Sequence, residues 1–307
     1  MGTPELARTS LQGLLDAPGI QIAAVVTQPD RPKGRDLKLQ PSPVKELALR
    51  AGLSILQPVR AREESFIAEL RRLEPDLIAV AAYGQILPQA ILDLPRYGCL
   101  NVHTSLLPRY RGAAPIQWAI LNDEPETGVT IMKMDAGLDT GDIISQEPTR
   151  ITDDDNSQTL HDRLARIGAK LLIETIPDFV AGKITPRPQP TEGVVLAPKI
   201  KKQDGLIDWT LPARTVWNRV RGLVPWPGAA THLTSESKPE RLKIWEARPT
   251  EPSGNPGEIL QADNSGIIVG CGTGSLRILV LQREGGRQLT SEQFLAGHPL
   301  SIGQCLG

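Results

Sequence analysis

The chain has 307 residues, with 34 Lys plus Arg against 35 Asp plus Glu, and 40% of its residues are hydrophobic. That length implies about two domains with a sizeable core, and the composition excludes a disordered or collagen-like chain despite 28 Gly and 27 Pro. A formal net charge of −1 excludes a uniformly basic nucleic-acid coat but leaves room for a local basic patch. Three cysteines, Cys99, Cys271 and Cys305, lack metal-ligand spacing and argue against a disulfide scaffold or a structural zinc. No apolar run approaches the roughly 18 residues of a membrane span, and no signal peptide precedes the first predicted helix. The expectation is a soluble protein of a reducing compartment, the cytoplasm.

In chain order, residues 5–15 read as a short amphipathic helix, with Thr3 as its cap and Pro4 in its first turn. Residues 20–27 read as a strand. Four Pro and one Gly between 28 and 43 predict no regular element there. A helix follows over 44–51, closed by Gly52, then a short strand at 54–56 and a helix over 63–73. Residues 77–82 are continuously apolar, the pattern of a parallel strand covered on both faces. Residues 99–103 predict a strand that ends in polar side chains. A helix starts near Pro115, strands are predicted at 128–134 and 142–147, and apolar residues at three- and four-residue spacing predict a long helix over 157–180. This alternation argues an open α/β sheet. Neither the phosphate-loop nor the dinucleotide glycine fingerprint is present, which argues against ATP or NAD.

Pro186, Pro188, Pro190 and Pro198 mark a change of composition. The domains expected are 1–184, a linker over 185–203, and 204–307. A helix over about 212–220 leads into short segments at 241–245, 257–261, 266–269 and 276–281, separated by Gly and Pro turns, which fit a small β-barrel.

Three segments carry a resemblance. Asn101-Val-His-Thr-Ser-Leu-Leu-Pro-Arg-Tyr-Arg-Gly-Ala-Ala-Pro-Ile116 resembles the signature loop of the folate-dependent formyltransferases, and Asp135-Ala-Gly-Leu-Asp-Thr-Gly-Asp142 resembles their second catalytic segment. Thr27-Gln-Pro-Asp-Arg-Pro-Lys-Gly-Arg35, running on to Pro41-Ser-Pro-Val-Lys45, is similar to the branch of that family that acts on charged initiator tRNA. Asp204-Gly-Leu-Ile-Asp-Trp209 and Val224-Pro-Trp-Pro-Gly228 extend the likeness into the second domain. The resemblance implies an α/β, Rossmann-like formyltransferase domain followed by a C-terminal OB-like β-barrel. It also implies a first strand immediately ahead of Met1-Gly-Thr-Pro4, so that strand is expected to be missing from the sheet.

The activity implied is transfer of formyl from 10-formyltetrahydrofolate, a co-substrate used without a metal, to the amine of methionyl initiator tRNA by a monomer. Asn101 and His103, two apart on a strand, share a face. The resemblance makes them donors to the oxygen on which charge grows, with Asp139 orienting His103 and helping to move the proton. The folate is expected against Tyr83, Gly84, Gln85, Ile86 and Leu87, the loop Ser105, Leu106, Leu107 and Pro108, and Asp135 and Gly137. Cys99 is expected to face the core.

Arg31, Lys33, Arg35, Lys38 and Lys45 stand against Asp36, a local charge of +4. On the resemblance, Arg31, Lys33, Arg35 and Lys38 grip the acceptor end of the tRNA through its phosphates. Lys199, Lys201, Lys202, Arg214, Arg219 and Arg221 are candidates to extend that track. A formyltetrahydrofolate hydrolase or a formyltransferase with a small acceptor shares the core, and the 28–45 loop favours tRNA over both. A non-catalytic RNA-binding module is the alternative from another class.

Overall fold

The computed structural model describes residues 1–33, 38–233 and 240–307. Two compact units emerge. Met1–Pro115, Glu126–Arg150 and His161–Ala197 form the first, and Ile116–Pro125, Ile151–Leu160 and Pro198–Gly307 the second.

In the first unit α1 (Glu5–Asp16) buries Leu6, Ala7, Leu11 and Leu14, the face its spacing predicts. Its N-cap is Pro4, and the Thr3 hydroxyl instead donates to the Tyr83 carbonyl at 3.3 Å. β1 is confined to Val25–Val26, shorter than the predicted 20–27. Ile20, Ile22 and Ala24 line a cavity of about 890 Å³, together with Ile78, Val80, Leu172 and Ile176. Met1 and Gly2 reach between its two edges: Gly2 N–H donates to Val26 O and Ala81 N–H to Met1 O, each at 2.9 Å. Residues 20–24 have no ladder to join, and so no strand forms there.

The proline-rich segment does form a regular element, contrary to expectation. β2 (Arg31–Lys33) and β3 (Lys38–Gln40) pair antiparallel, Arg31 with Gln40 and Lys33 with Lys38. Each strand of a two-stranded ribbon has one unpaired edge, and a proline whose missing N–H would face that edge costs no ladder bond. α2 (Pro43–Arg50) follows, its N-cap Ser42 accepting from Lys45 N–H at 3.0 Å. β4 (Ile55–Leu56) pairs parallel with β1.

After α3 (Glu64–Arg72) come β5 (Ile78–Val80), α4 (Gln89–Leu92), β6 (Cys99–His103), β7 (Arg111–Gly112), α5 (Pro115–Leu121), β8 (Glu126–Lys133), β9 (Ile143–Arg150) and α6 (Ser157–Val180). The sheet order is β5-β6-β8-β9, with β5 and β6 parallel and the rest antiparallel. β10 (Leu196–Ala197) pairs parallel with β7. Residues 187–197 therefore belong to the first unit's fabric. Arg187 and Ile143 exchange two backbone hydrogen bonds at 2.8 Å.

In the second unit α7 (Ala213–Gly222) precedes β11 (Ala229–Leu233), β12 (Glu240–Thr250), β13 (Ile259–Asp263), β14 (Gly266–Gly270), β15 (Ser275–Arg283), β16 (Leu289–Thr290) and α8 (Ser291–Gly297). The antiparallel sheet runs β11-β12-β15-β14-β13, with β16 also on β15. Cys305 bridges Glu258 and Leu306 bridges Leu233, so the last residues touch both ends of that order. Trp209, Trp217, Ile244, Val269, Ile278 and Phe294 form the core.

Candidate active site

β6 ends in the middle of the first unit's sheet, and its last residues carry the polar groups. Asn101 lies between Val80 of β5 and Met132 of β8, half-buried. His103 is 6% exposed, and its Nε2 lies 2.9 Å from the Tyr110 carbonyl. A carbonyl only accepts, so Nε2 carries the hydrogen and Nδ1 of the neutral ring holds the lone pair. Nδ1 lies 3.8 Å from Asp139 Oδ2. The sequence reading makes His103 a second N–H donor. Here Tyr110 takes that N–H, and the free ring nitrogen faces a carboxylate.

Two strained residues set this geometry. Tyr110 (φ +61°) and Asp139 (φ +52°) are both in the left-handed region, which costs a non-glycine residue about 1–3 kcal/mol and persists only where the surroundings hold it. Asp139 is held at both ends. Gly112 N–H donates to its Oδ2 at 2.8 Å, and the Gln189 amide donates to its carbonyl at 2.8 Å. Gly112 has φ +125°, and a Cβ there would lie 2.6 Å from the Ala197 carbonyl. Neither Gly112 nor Gln189 stands out in the sequence. The first reads as part of a longer motif and the second is buried in a run of prolines.

The loop after β6 is fixed from below. The Thr130 hydroxyl donates to Ser105 O at 2.7 Å and accepts from Leu107 N–H at 3.1 Å and from the Gln146 amide at 3.0 Å. Ser105 is fully buried, with its hydroxyl on Arg109 O, and Leu107 is 3% exposed; Leu106 is half-buried. The Leu107–Pro108 peptide is cis. Asp135 accepts from Gly137 N–H and from the Thr140 hydroxyl, which closes the neighbouring loop.

In the segment after β5, Tyr83 and Leu87 are core residues, whereas Ile86 is 88% exposed; in the turn between β8 and β9, Leu138 is 64% exposed. The Tyr83 hydroxyl is buried with no partner among the described residues, and burial aided by the Glu63 charge pushes its pKa up to about 12. Gly84 has φ +81°, and the Gln85 amide oxygen accepts from Ala61 N–H at 2.7 Å. Burial pushes the Cys99 thiol up to about 12, which removes it as a nucleophile. Among the described residues no group of three or more His, Cys, Asp or Glu is placed to hold a metal ion.

Of the basic loop, Arg31 is exposed and donates to the Gln28 amide oxygen at 2.8 Å. For Lys33 and Lys38 the backbone alone is described, and Arg35 and Asp36 lie outside the described residues. Lys45 is committed elsewhere: it pairs with Asp30 at 2.7 Å, and hydrogen bonds from Lys45 and Gln57 hold the Asp30 carboxyl below its usual range. In the second unit Lys199, Lys201 and Lys202 are exposed. Arg221 is not a phosphate ligand. It is 6% exposed, stacks on Trp217 at 4.2 Å and donates to Thr152 O. Arg214 is occupied by Asp123 and Asp153. Arg219 bonds the Asp204 carbonyl. The expected track is thus reduced at α7, because these guanidinium groups are used to build the unit.

The formyl transferase family model matches residues 2–176, and the formyl transferase C-terminal domain model matches 199–299. The methionyl-tRNA formyltransferase of Citrifermentans bemidjiense is 51% identical over 307 residues, covering 100% of this chain and 95% of its own. That of Geobacter sulfurreducens is 50% identical with the same coverage. The fold is also that of an N-formyltransferase from Helicobacter canadensis, solved in complex with folinic acid and dTDP-3-aminofucose. That match has a TM-score of 0.65 and 17% identity, over 94% of this chain and 97% of the other. Identity at this level, over the full length of this chain and 95% of each relative, shows that the chain belongs to the methionyl-tRNA formyltransferase family.

Proposed function

We propose that this chain transfers the formyl group of 10-formyltetrahydrofolate to the amino group of methionyl initiator tRNA. The observation that carries the reading is the full-length match to methionyl-tRNA formyltransferases, with half the residues identical. The donor supplies a formyl carbon bound to nitrogen. When one amine replaces another at that carbon, negative charge grows on the oxygen and the incoming amine loses a proton.

The Asn101 amide is the side-chain donor for that oxygen, a contribution of several kcal/mol in sites of this kind. His103, its Nε2–H anchored on Tyr110, takes the amine's proton at Nδ1, the Asp139 carboxylate stabilises the imidazolium that results, and that proton passes to the folate nitrogen as its bond to the formyl carbon breaks. Low exposure of His103 strengthens that charge interaction. The exposed apolar residues Ile86 and Leu138 suit the flat ring of a folate. The backbone of 83–87, the 105–108 loop, Asp135 and Gly137 complete the folate site in this reading. Tyr83, Leu87 and Ser105 contribute through the shape of that backbone, since their side chains are buried.

Residues 1–184 carry the catalytic site, 185–203 are the linker, whose residues 187–197 pair with the first unit, and 204–307 are the tRNA-binding domain. The antiparallel order of the second unit, and the bridges its last residues make to both ends, support an OB-like barrel. The segment 31–38, with Arg31, Lys33, Arg35 and Lys38, grips the acceptor end of the tRNA. Charged initiator tRNA as partner sets the cytoplasm as the place of work, and one chain carries both units. No helix among the described residues is long and apolar enough to cross a membrane.

The test is to incubate the full chain with 10-formyltetrahydrofolate and charged initiator tRNA and to weigh the aminoacyl group. A gain of one formyl on the methionine amine is expected. Formate released at the same rate without tRNA would instead assign a hydrolase.

A further inference from the structure

Asp139 is in a left-handed conformation, in the turn that joins β8 to β9. A carboxylate on such a turn holds its place only if the backbone around it is held, and one side chain bonds that backbone at two points. The Gln189 amide nitrogen donates to Asp139 O at 2.8 Å and to Gly141 O at 2.7 Å. Its Oε1 accepts from Arg111 Nε at 3.0 Å and Nη2 at 2.7 Å. A primary amide has two N–H donors and two acceptor sites on oxygen, and all four are used. The orientation is therefore unambiguous. Turning the amide over would set its N–H groups against the Arg111 donors and its oxygen against two carbonyls.

Gln189 is anchored in turn. Two residues before it, Arg187 exchanges backbone hydrogen bonds with Ile143 at the start of β9. Farther on, Leu196–Ala197 pair with Arg111–Gly112. The Gly112 N–H that holds Asp139 Oδ2 thus sits next to the Arg111 side chain that holds Gln189. One closed circuit, Arg111–Gln189–Asp139–Gly112, fixes both the backbone and the carboxylate of Asp139.

We propose that Gln189 is a positioning residue for formyl transfer, acting through Asp139 and its distance to His103; this rests on the catalytic reading of Asp139 given above. Gln189→Glu is the sharpest variant. It keeps the length of the side chain and the contact to Arg111, but turns an oxygen on the carbonyls of Asp139 and Gly141. Gln189→Met keeps the volume and removes every hydrogen bond, and serves if the carboxylate variant does not fold.

Displacing a reacting group by about 1 Å costs on the order of 10²-fold in rate. Both variants should therefore lower kcat by about 10- to 100-fold, with KM for 10-formyltetrahydrofolate and for charged tRNA within about twofold of the parent. A purely structural role would instead lower the fraction of folded enzyme or move both KM values. The decisive measurement is a double-mutant cycle with Asp139→Ala. If Gln189 acts through Asp139, Gln189→Met combined with Asp139→Ala is no slower than Asp139→Ala alone. Multiplying effects would overturn the positioning role and leave Asp139 catalytic. If Asp139→Ala itself leaves kcat unchanged, the catalytic reading of Asp139 falls, and the positioning role falls with it.

Discussion

Asn101 sits in the middle of β6, between β5 and β8, so neighbouring strands fix its backbone on both sides. Such a residue can be changed without moving its surroundings. Asn101→Ala should lower kcat by about 10²–10³-fold with little change in folate binding, as loss of one oxyanion donor does. Steady-state rates at saturating folate check this, and turnover within twofold of the parent would remove Asn101 from the chemistry. At this scale the sequence was informative about identity and poor about orientation. Asn101, His103 and Asp139 lie in contiguous motifs and are legible. The state of His103 is not, because it depends on Tyr110 offering a carbonyl, and that follows from a left-handed turn. Gln189 was illegible for a different reason. It meets Asp139 across 50 residues of chain and carries no local pattern.

Among the elements, those with a strong period were found where predicted: α1, α2, α3 and α6 all bury an apolar face or follow a clear start signal. α4, β7, β10, β11, β16 and α8 went unpredicted. β11 emerges directly from the Val224–Gly228 turn, and β16 is two residues long. The four Pro and one Gly of residues 28–43 predict no regular element, yet β2 and β3 pair, because an edge strand tolerates proline. The segment 31–38 makes a separable prediction. Its charge binds a polyanion by releasing counterions, so its share of affinity falls with salt. Replacing Arg35 and Lys38 by Ala should reduce the logarithmic salt slope of tRNA binding by about two units. Lys45→Ala should leave the slope unchanged, because Lys45 is already paired with Asp30. Binding of charged initiator tRNA across a salt series decides it. An unaltered slope in the double variant would move the tRNA contacts away from that segment.

At the level of the whole molecule, the cavity beside β1 is the feature with the widest reach. Residues 20–26 and 76–81 are among those that line it, and the amino-terminal residues Met1 and Gly2 reach into it between Val26 and Ala81. Six apolar, β-branched residues added ahead of Met1 should raise the denaturant midpoint. Each buried Val or Ile contributes about 1.5–3 kcal/mol, reduced by the ordering of the added backbone. An unchanged midpoint would show that the cavity does not accept a strand.

The same cavity bears on how the protein fails. Ile20-Gln-Ile-Ala-Ala-Val-Val26 has no charge, no proline and no glycine, which is the composition of a segment that stacks into cross-β fibres. In most folds such a segment is safe because both its edges are paired. Here much of it faces the cavity, so another chain's copy is as suitable a neighbour as any. Warm, concentrated protein should therefore form dye-binding fibres built from this segment, and the extended variant, with that edge covered, should form them more slowly.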